Sequence, residues 1–188
     1  MRSMVMEFQD DDTCSYLDKQ YMLGDSILVA PIFNDKGMAK YYLPEGKWTN
    51  FITGKKYEGG KWIKEHHDYL SIPMMVKENS LIAVGHDNTR PDYDYRENVS
   101  VLAYELTDKV QTETKVINMK REEVLAVIAL KDGNTIRIKA TGEDKPWKFV
   151  LKNVTNVEAV ENGVFKLNGN DTEIEISSGN CDVICRLK

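Results

Sequence analysis

Beyond Gly24 the chain is a series of short apolar segments, each roughly four to eight residues long, separated by turn-forming residues. Pro, Gly, Asn and Asp supply the turns, for example at residues 34–37, 44–46 and 168–170. Segments of this length are too short for ordinary helices, and regular turns between them are typical of β-sandwiches and barrels. We therefore expect an all-β fold.

The strongest single turn signal is Asp132-Gly133, which lies between two alternating segments at residues 122–130 and 135–141. Both turn residues tolerate positive φ angles, which a tight β-hairpin needs. The pattern predicts that the two segments pair as adjacent antiparallel strands.

One segment departs from this pattern. Between Thr13 and Leu23 the apolar side chains follow a helical spacing, with acidic residues before the segment and Gly24 as a stop signal. The sequence therefore predicts a single helix over residues 13–23, followed by two β-sandwich modules that meet near Thr107.

The charge balance and the cysteines limit the classes of protein to which the chain can belong. Lys and Arg number 25 and Asp and Glu number 30, so the formal net charge is 25 − 30 = −5, and nucleic-acid binding is not expected. No apolar run is long enough for a membrane span, and residues 1–7 lack the long apolar segment of a secretory signal. Three scattered cysteines, Cys14, Cys181 and Cys185, suit a reducing compartment. We therefore expect a cytoplasmic protein with neither nucleic acid nor a membrane as partner.

No motif in the chain forms a self-contained active site. His66 and His67 point to opposite faces of a predicted strand, and neither Cys181 nor Cys185 has a histidine nearby in sequence, so no metal site is expected. The acidic run at residues 10–12 follows an apolar segment and has two open interpretations. Its carboxylates either gather at the mouth of a barrel strand or cap the helix that follows.

Aromatic residues offer a second candidate chemistry. Trp48, Trp62 and Trp147 each follow a turn, and exposed indole rings can stack on sugars, while burial in the sandwich core is the alternative. The stretch 90–96 mixes acids with tyrosines and also has two interpretations, contact with sugar or packing between modules.

Several motifs resemble those of one enzyme family. They are MVMEFQDD at residues 4–11, YLDKQYMLGDSILVAPIF at 16–33, YYLPEGKWTN at 41–50, DYLSIP at 68–73 and RPDY at 90–93. Together they resemble the C-terminal part of glycoside hydrolase family 31, and most closely its bacterial α-xylosidase branch. The resemblance implies three parts: a strand-helix remnant of a (β/α)8 barrel at residues 1–24, a proximal C-terminal β-sandwich at 25–107 and a distal C-terminal β-sandwich at 108–188.

The resemblance also implies where the chemistry lies. Retaining enzymes of this family use two aspartates on barrel strands, a nucleophile and an acid/base, held roughly 5–5.5 Å apart. A complete barrel needs about 250 residues, so both aspartates would lie upstream of this chain, which alone is expected to be inactive. Phe8 and Asp10 would line the substrate pocket of the parent enzyme. Its expected substrate is an α-xyloside or α-glucoside, and no cofactor is implied.

Three functional hypotheses follow from these observations. In the first, the chain supports the catalytic barrel of a retaining α-xylosidase. In the second, it is a carbohydrate-binding β-sandwich module that uses Trp48 and Trp62. In the third, it associates with itself through the surface that would otherwise face the barrel.

Overall fold

The computed structural model describes every residue from Met1 to Lys188, and most of the regular structure is β-strand. The chain divides into two compact units, Met1–Glu78 and Asn79–Lys188. None of its helices has the length and apolar character needed to cross a membrane. The predicted all-β class is confirmed.

The first unit contains eight strands, one turn of α-helix and a 3-10 helix. The strands are β1 (Arg2–Ser3), β2 (Tyr21–Leu23), β3 (Ile27–Val29), β4 (Met38–Leu43), β5 (Lys47–Asn50), β6 (Lys56–Glu58), β7 (Lys61–His66) and β8 (Met74–Lys77). Helix α1 covers Met4–Glu7, and the 3-10 helix covers Asp12–Tyr16. Six strands form a sheet in the order β1-β2-β3-β8-β5-β6, and β4 pairs with β7 in a separate antiparallel ribbon.

One apolar core holds the sheet, the ribbon and the N-terminal segment together. Trp48 of the sheet and Tyr41 and Leu43 of the ribbon are buried in the same cluster, with Met4 of α1 and Met22 of β2. Fully burying a large apolar side chain contributes roughly 1.5–3 kcal/mol, so the N-terminal segment is an integral part of this unit.

The helix predicted over residues 13–23 is wrong. Only the 3-10 helix forms, and the end of the segment becomes β2, which pairs with β3. The contacts of this segment are with distant parts of the chain: β2 pairs with β3, and the buried Gln20 side-chain amide donates to the carbonyl of Tyr42 and accepts from its N–H, both at 2.8 Å. Gly24, with φ +64°, makes the β2–β3 turn instead of ending a helix. Residues 1–24 thus contribute β1 and β2 to this sheet, and the strand-helix arrangement expected there is not observed.

The second unit is a sandwich of two five-stranded sheets. Its strands are β9 (Ser80–Val84), β10 (Ser100–Tyr104), β11 (Gln111–Ile117), β12 (Glu123–Asp132), β13 (Thr135–Gly142), β14 (Trp147–Leu151), β15 (Val157–Glu161), β16 (Val164–Asn168), β17 (Asp171–Ile176) and β18 (Cys181–Leu187). The sheet orders are β16-β17-β14-β10-β9 and β11-β12-β13-β18-β15. Along β13, Ile136 and Ile138 are buried while Arg137 and Lys139 are exposed, which is the alternation of a strand with one face on a core.

The division between the units falls earlier than the position near Thr107 that the sequence indicated. Strands β9 and β10 pair with each other, and β10 also runs parallel to β14. Both strands therefore belong to the second sandwich. A parallel pair joins segments that are far apart in the chain, so turn spacing does not reveal it.

The predicted pairing of the two segments is confirmed, but the turn lies one residue later than predicted, at Gly133-Asn134, because Asp132 is the last residue of β12. Strands β12 and β13 pair in antiparallel register from Leu125, opposite Gly142, to Asp132, opposite Thr135. Gly133 has a φ of +54°, a conformation that favours glycine.

All three cysteines are free thiols. Cys14 and Cys185 are buried, and burial raises the pKa of each thiol to about 11, with the charge of Asp11 adding to the effect at Cys14. Burial also raises the pKa of Cys181, which is partly exposed. Since the thiolate is the reactive form, these thiols are protected in the folded chain.

We expect the native chain to react much more slowly with Ellman's reagent at mildly alkaline pH than free glutathione does. After unfolding in guanidinium chloride, all three thiols should react at the rate of the glutathione control. Rapid reaction of two or more thiols in the native chain would contradict the burial of Cys14 and Cys185.

Candidate functional site

The structure brings the two predicted site residues together. Phe8 and Asp10 line one open cavity of about 500 Å³. Its other lining residues are Glu7, Gln9, Asp11, Asp12, Tyr42, Pro44 and Glu45. The cavity lies between the segment that joins the two short helices and the end of ribbon strand β4.

Local contacts hold this segment in place. The Phe8 ring lies 6.1 Å from the ring of the buried Trp48, centroid to centroid. One carboxylate oxygen of Asp11 accepts a hydrogen bond of 3.0 Å from the N–H of Thr13 and caps the 3-10 helix. Of the two interpretations of the acidic run, capping is therefore observed at Asp11, while Asp10 is exposed at the cavity wall.

The cavity lining is strongly acidic. Its carboxylates come from the segment 7–12 and from Glu45 at the opposite wall. Burial, and then a hydrogen bond with Asp11, raise the pKa of Tyr42, so its hydroxyl stays protonated. No three His, Cys, Asp or Glu side chains are grouped so that they could hold a metal ion.

His67 takes part in a network that the sequence did not reveal. Its Nε2 lies 3.1 Å from Glu65 Oε1, and its Nδ1 lies 3.1 Å from Ser71 Oγ. A serine, a histidine and a carboxylate in a row resemble a hydrolytic triad. The Ser71 hydroxyl, however, donates to Asp68 Oδ1 at 2.9 Å, and the N–H of Leu70 donates to the same oxygen at 3.0 Å. Because these donors are already engaged, the network holds the loop together and does not form a nucleophile.

Glu65 lies at the centre of the network. Tyr41 donates to its Oε1 at 2.7 Å and Tyr57 to its Oε2 at 3.1 Å. Burial disfavours the charged carboxylate, but the hydrogen bonds from Tyr41, His67 and Tyr57 outweigh burial and hold the pKa of Glu65 below its ordinary value of 4.5. Burial, followed by the charge of Glu65, raises the pKa of Tyr57 to about 12. The charged form of Glu65 therefore stabilises the folded first unit.

Replacing Glu65 by glutamine should lower the free energy of unfolding near neutral pH. Because the pKa of Glu65 is depressed in the folded state, its stabilisation is present above the unfolded-state pKa and is lost as the pH falls through the folded-state pKa. The difference between wild type and Glu65→Gln should therefore shrink below about pH 4. Urea denaturation at a series of pH values measures this difference in the free energy of unfolding. Glu58→Gln, at an exposed glutamate, is the control. A difference that stays constant into acid would contradict this account.

Two of the three tryptophans are core residues. Trp48 and Trp147 are 1% and 2% exposed, and their indole N–H groups donate to the carbonyls of Pro44 and Ser178 at 2.8 and 3.0 Å. The burial alternative therefore holds for both. Neither ring is available for stacking on a sugar.

Trp62 is 49% exposed, but protein groups already contact its ring. Lys40 Nζ lies 4.8 Å from the ring centroid, and the Tyr42 ring lies 5.6 Å away at a tilt of 56°. The aromatic residues of the stretch 90–96 are engaged in a similar way, since the rings of Tyr93 and Tyr95 meet edge to face at 5.0 Å.

Comparisons with known proteins match both units. The model of the glycosyl hydrolase family 31 C-terminal domain matches residues 1–82, and the model of the alpha-xylosidase YicI C-terminal domain matches residues 94–187. Residues 1–24 thus fall inside the first C-terminal domain model.

The curated relatives are much longer than this chain. Alpha-xylosidase XylQ of Lactiplantibacillus pentosus is 37% identical over 145 residues, which cover 76% of this chain and 19% of the relative. An alpha-xylosidase of Emericella nidulans is 33% identical over 144 residues, which cover 72% of this chain and 18% of the relative. This chain therefore spans about a fifth of the length of these relatives.

A solved structure agrees with the fold of the whole chain. The GH31 dextranase of Flavobacterium johnsoniae, complexed with glucose, matches with a TM-score of 0.87 at 18% identity, over 100% of this chain and 29% of the dextranase chain. Two successive C-terminal domain models and the similarity to the alpha-xylosidases lead to one conclusion: the chain belongs to glycoside hydrolase family 31 and corresponds to the C-terminal, non-catalytic part of its alpha-xylosidase-like enzymes.

Proposed function

We propose that this chain is the C-terminal part of a retaining α-xylosidase that removes terminal α-xylosyl or α-glucosyl residues, and that its two units stabilise the catalytic barrel. The observation that carries the proposal is the match of both units, in order, to family 31 and alpha-xylosidase C-terminal domain models. The buried cores of the two units suit a supporting role, since each can fold around its own apolar cluster.

An activity assay tests whether the isolated chain is inactive while the whole protein is an active α-xylosidase. The chain should release no aryl group from an aryl α-xyloside, because it matches only C-terminal domain models and about a fifth of the length of the alpha-xylosidases. The whole protein from the same gene should hydrolyse the same substrate and retain the anomeric configuration. Release that scales with the concentration of the isolated chain would overturn the proposal.

We assign Phe8 and Asp10 to the rim of the substrate pocket in the whole protein. They share one cavity, and they offer an aromatic ring beside an exposed carboxylate. In the whole protein, Phe8→Ala and Asp10→Asn should raise KM for the aryl α-xyloside about tenfold, equivalent to about 1.4 kcal/mol of binding. Asp18→Asn, an exposed acid outside the cavity, is the control. An unchanged KM in both variants would remove these residues from the pocket.

We further place the protein in the cytoplasm of a bacterium and expect the isolated chain to self-associate. Its three free thiols support a reducing compartment, and the resemblance to the bacterial α-xylosidase branch supports the source. Self-association would bury the surface that meets the barrel in the whole protein. Light scattering should give a mass above that of the monomer, and a strict monomer at high concentration would contradict self-association.

A further inference from the structure

A second cavity lies in the first unit, formed by two loops. We call it the two-loop cavity; it has a volume of about 650 Å³, within the usual range for small-molecule sites. It lies between residues 34–37, which join β3 to β4, and residues 67–73, which join β7 to β8. The lining residues that bear on its chemistry are Ile32, Asp35, Lys36, His66, Asp68 and Tyr69.

The first loop is held by its own hydrogen bonds. Asn34 Oδ1 accepts from the N–H groups of Lys36 and Met38 at 3.1 and 3.0 Å, and Asn34 Nδ2 donates to the carbonyl of Met38 at 2.6 Å. The N–H of His67 donates to the carbonyl of Gly37 at 2.8 Å, which ties the two loops together. A Cβ at Gly37 would lie 2.3 Å from the carbonyl oxygen of His67, so glycine is required for this close approach.

The second loop has a fixed base and an exposed tip. Asp68 accepts from the N–H of Leu70 and the hydroxyl of Ser71, and Ser71 also contacts His67. The tip residues Tyr69 and Leu70 are nevertheless 107% and 93% exposed. A tyrosine has only two side-chain torsions to order on binding, so it offers a large contact area at a small cost in conformational entropy.

The polar groups of the cavity indicate the kind of ligand. Asp35 and Asp68 are acidic and Lys36 is basic, so the lining combines hydrogen-bond acceptors with donors. His66 is exposed at the end of β7 and adds a further polar group. Ile32 supplies an apolar wall. A pyranose fits this mixture, because its ring has an apolar C–H face that covers an aromatic ring and a rim of hydroxyls that both donate and accept.

We infer that the two-loop cavity binds a neutral pyranose unit of an oligosaccharide, with Tyr69 against the C–H face of the sugar and Asp35, Lys36 and His66 around its hydroxyls. The choice of an α-xylosyl or α-glucosyl saccharide rests on the proposed function. The site is separate from the Phe8 and Asp10 cavity. Its aromatic residue is Tyr69, whereas the sequence had suggested tryptophans as the aromatic residues that contact sugar.

Titration of the isolated chain tests this site. The probe is α-D-xylosyl-(1→6)-D-glucose, followed by two-dimensional amide NMR, with sorbitol as a polyol that lacks a pyranose face. Saturable shifts should map to residues 34–37 and 66–72 with the disaccharide and should be absent with sorbitol. Tyr69→Ala should weaken binding about tenfold, the change expected when one aromatic contact is lost.

The matched control is Tyr16→Ala, because Tyr16 is 86% exposed and lies outside the cavity. This variant should bind the disaccharide within about twofold of the wild-type chain. Shifts that do not saturate, that map to Trp62 or Phe8 with both loops silent, or that persist unchanged in Tyr69→Ala would each overturn the site.

The test separates this site from the proposed enzyme function. Binding by the isolated chain needs no catalytic barrel. If the whole protein hydrolyses α-xylosides but the chain shows no saturable shifts, the cavity proposal fails alone. If the loops bind the sugar but the whole protein lacks α-xylosidase activity, the proposed function fails alone.

Discussion

Replacing Arg96 by methionine should destabilise the second unit by about 3–5 kcal/mol, because the guanidinium bridges three backbone carbonyls. Arg96 is fully buried, and its terminal nitrogens donate to the carbonyls of Glu143, Lys145 and Pro146. Methionine fills a similar volume without burying a charge, but it leaves these acceptors without their donor. Urea denaturation followed by circular dichroism measures the loss.

Asp94 links the two segments that form this contact. Asp94 accepts from the backbone N–H of Arg96 at 3.0 Å and also pairs with Lys145, which belongs to the segment that the guanidinium binds. Burial lowers the pKa of Arg96, and the charges of Glu143 and Asp94 oppose that shift. The charge is therefore retained and stabilised by acceptors around it, which is why removal of the side chain costs more than one hydrogen bond.

Two variants sharpen this test. Arg90→Met, at an exposed arginine of the same stretch, should change the free energy of unfolding by less than about 0.5 kcal/mol. Arg96→Lys should fall between wild type and Arg96→Met, because an ammonium keeps the charge but cannot reproduce the planar array of donors. An Arg96→Met variant as stable as Arg90→Met would show that the three carbonyls are satisfied without the guanidinium.

The buried position of Arg96 illustrates where the sequence stops being informative. The stretch 90–96 mixes acids with tyrosines and contains a proline, and its composition does not identify Arg96 as a buried residue. Its arginine is buried only because the segment before β14 folds over it from a distant part of the chain. For the same reason, the boundary between the two units differs from the position near Thr107 that the sequence indicated. The boundary depends on the pairing of β10 with β14, which are far apart in the chain.

Local signals gave reliable predictions where a single turn or strand was sufficient. The hairpin of β12 and β13 depends on backbone angles within a few residues, and the structure has the predicted pairing with the turn at Gly133-Asn134. The all-β class depends on many such turns. The two-loop cavity could not be predicted in this way, because β4 and β7 must pair before residues 34–37 meet His67.

The candidate site was partly accessible from sequence. Phe8 and Asp10 were identified through resemblance, and the structure places them on one cavity, but Tyr42 and Glu45 come to its wall from a distant strand end. Tyr42 is paired with Trp62 of β7, and Gln20 binds its backbone from 22 residues away. Contacts of this range are not visible in a helical apolar spacing, which is why the predicted helix over residues 13–23 is not found.

Replacing Gln20 by leucine should destabilise the first unit by about 2–4 kcal/mol. Leucine has a similar volume and would preserve the packing, but it would leave the N–H and the carbonyl of Tyr42 without the partners that now lie at 2.8 Å. Each buried backbone group left unpaired costs about 1–3 kcal/mol. The free energy of unfolding in urea measures the effect, and Gln9→Leu, at an exposed glutamine of the same unit, is the control.

A glutamate at this position distinguishes loss of hydrogen bonding from loss of packing. In Gln20→Glu the carboxylate can accept from the N–H of Tyr42, but it cannot donate to the carbonyl until it is protonated. Burial would raise the folded-state pKa of the new carboxyl, so the deficit relative to wild type should shrink as the pH falls through that pKa and grow as the pH rises. A deficit in Gln20→Glu that does not change with pH, or a Gln20→Leu variant as stable as Gln9→Leu, would mean that Tyr42 does not depend on Gln20.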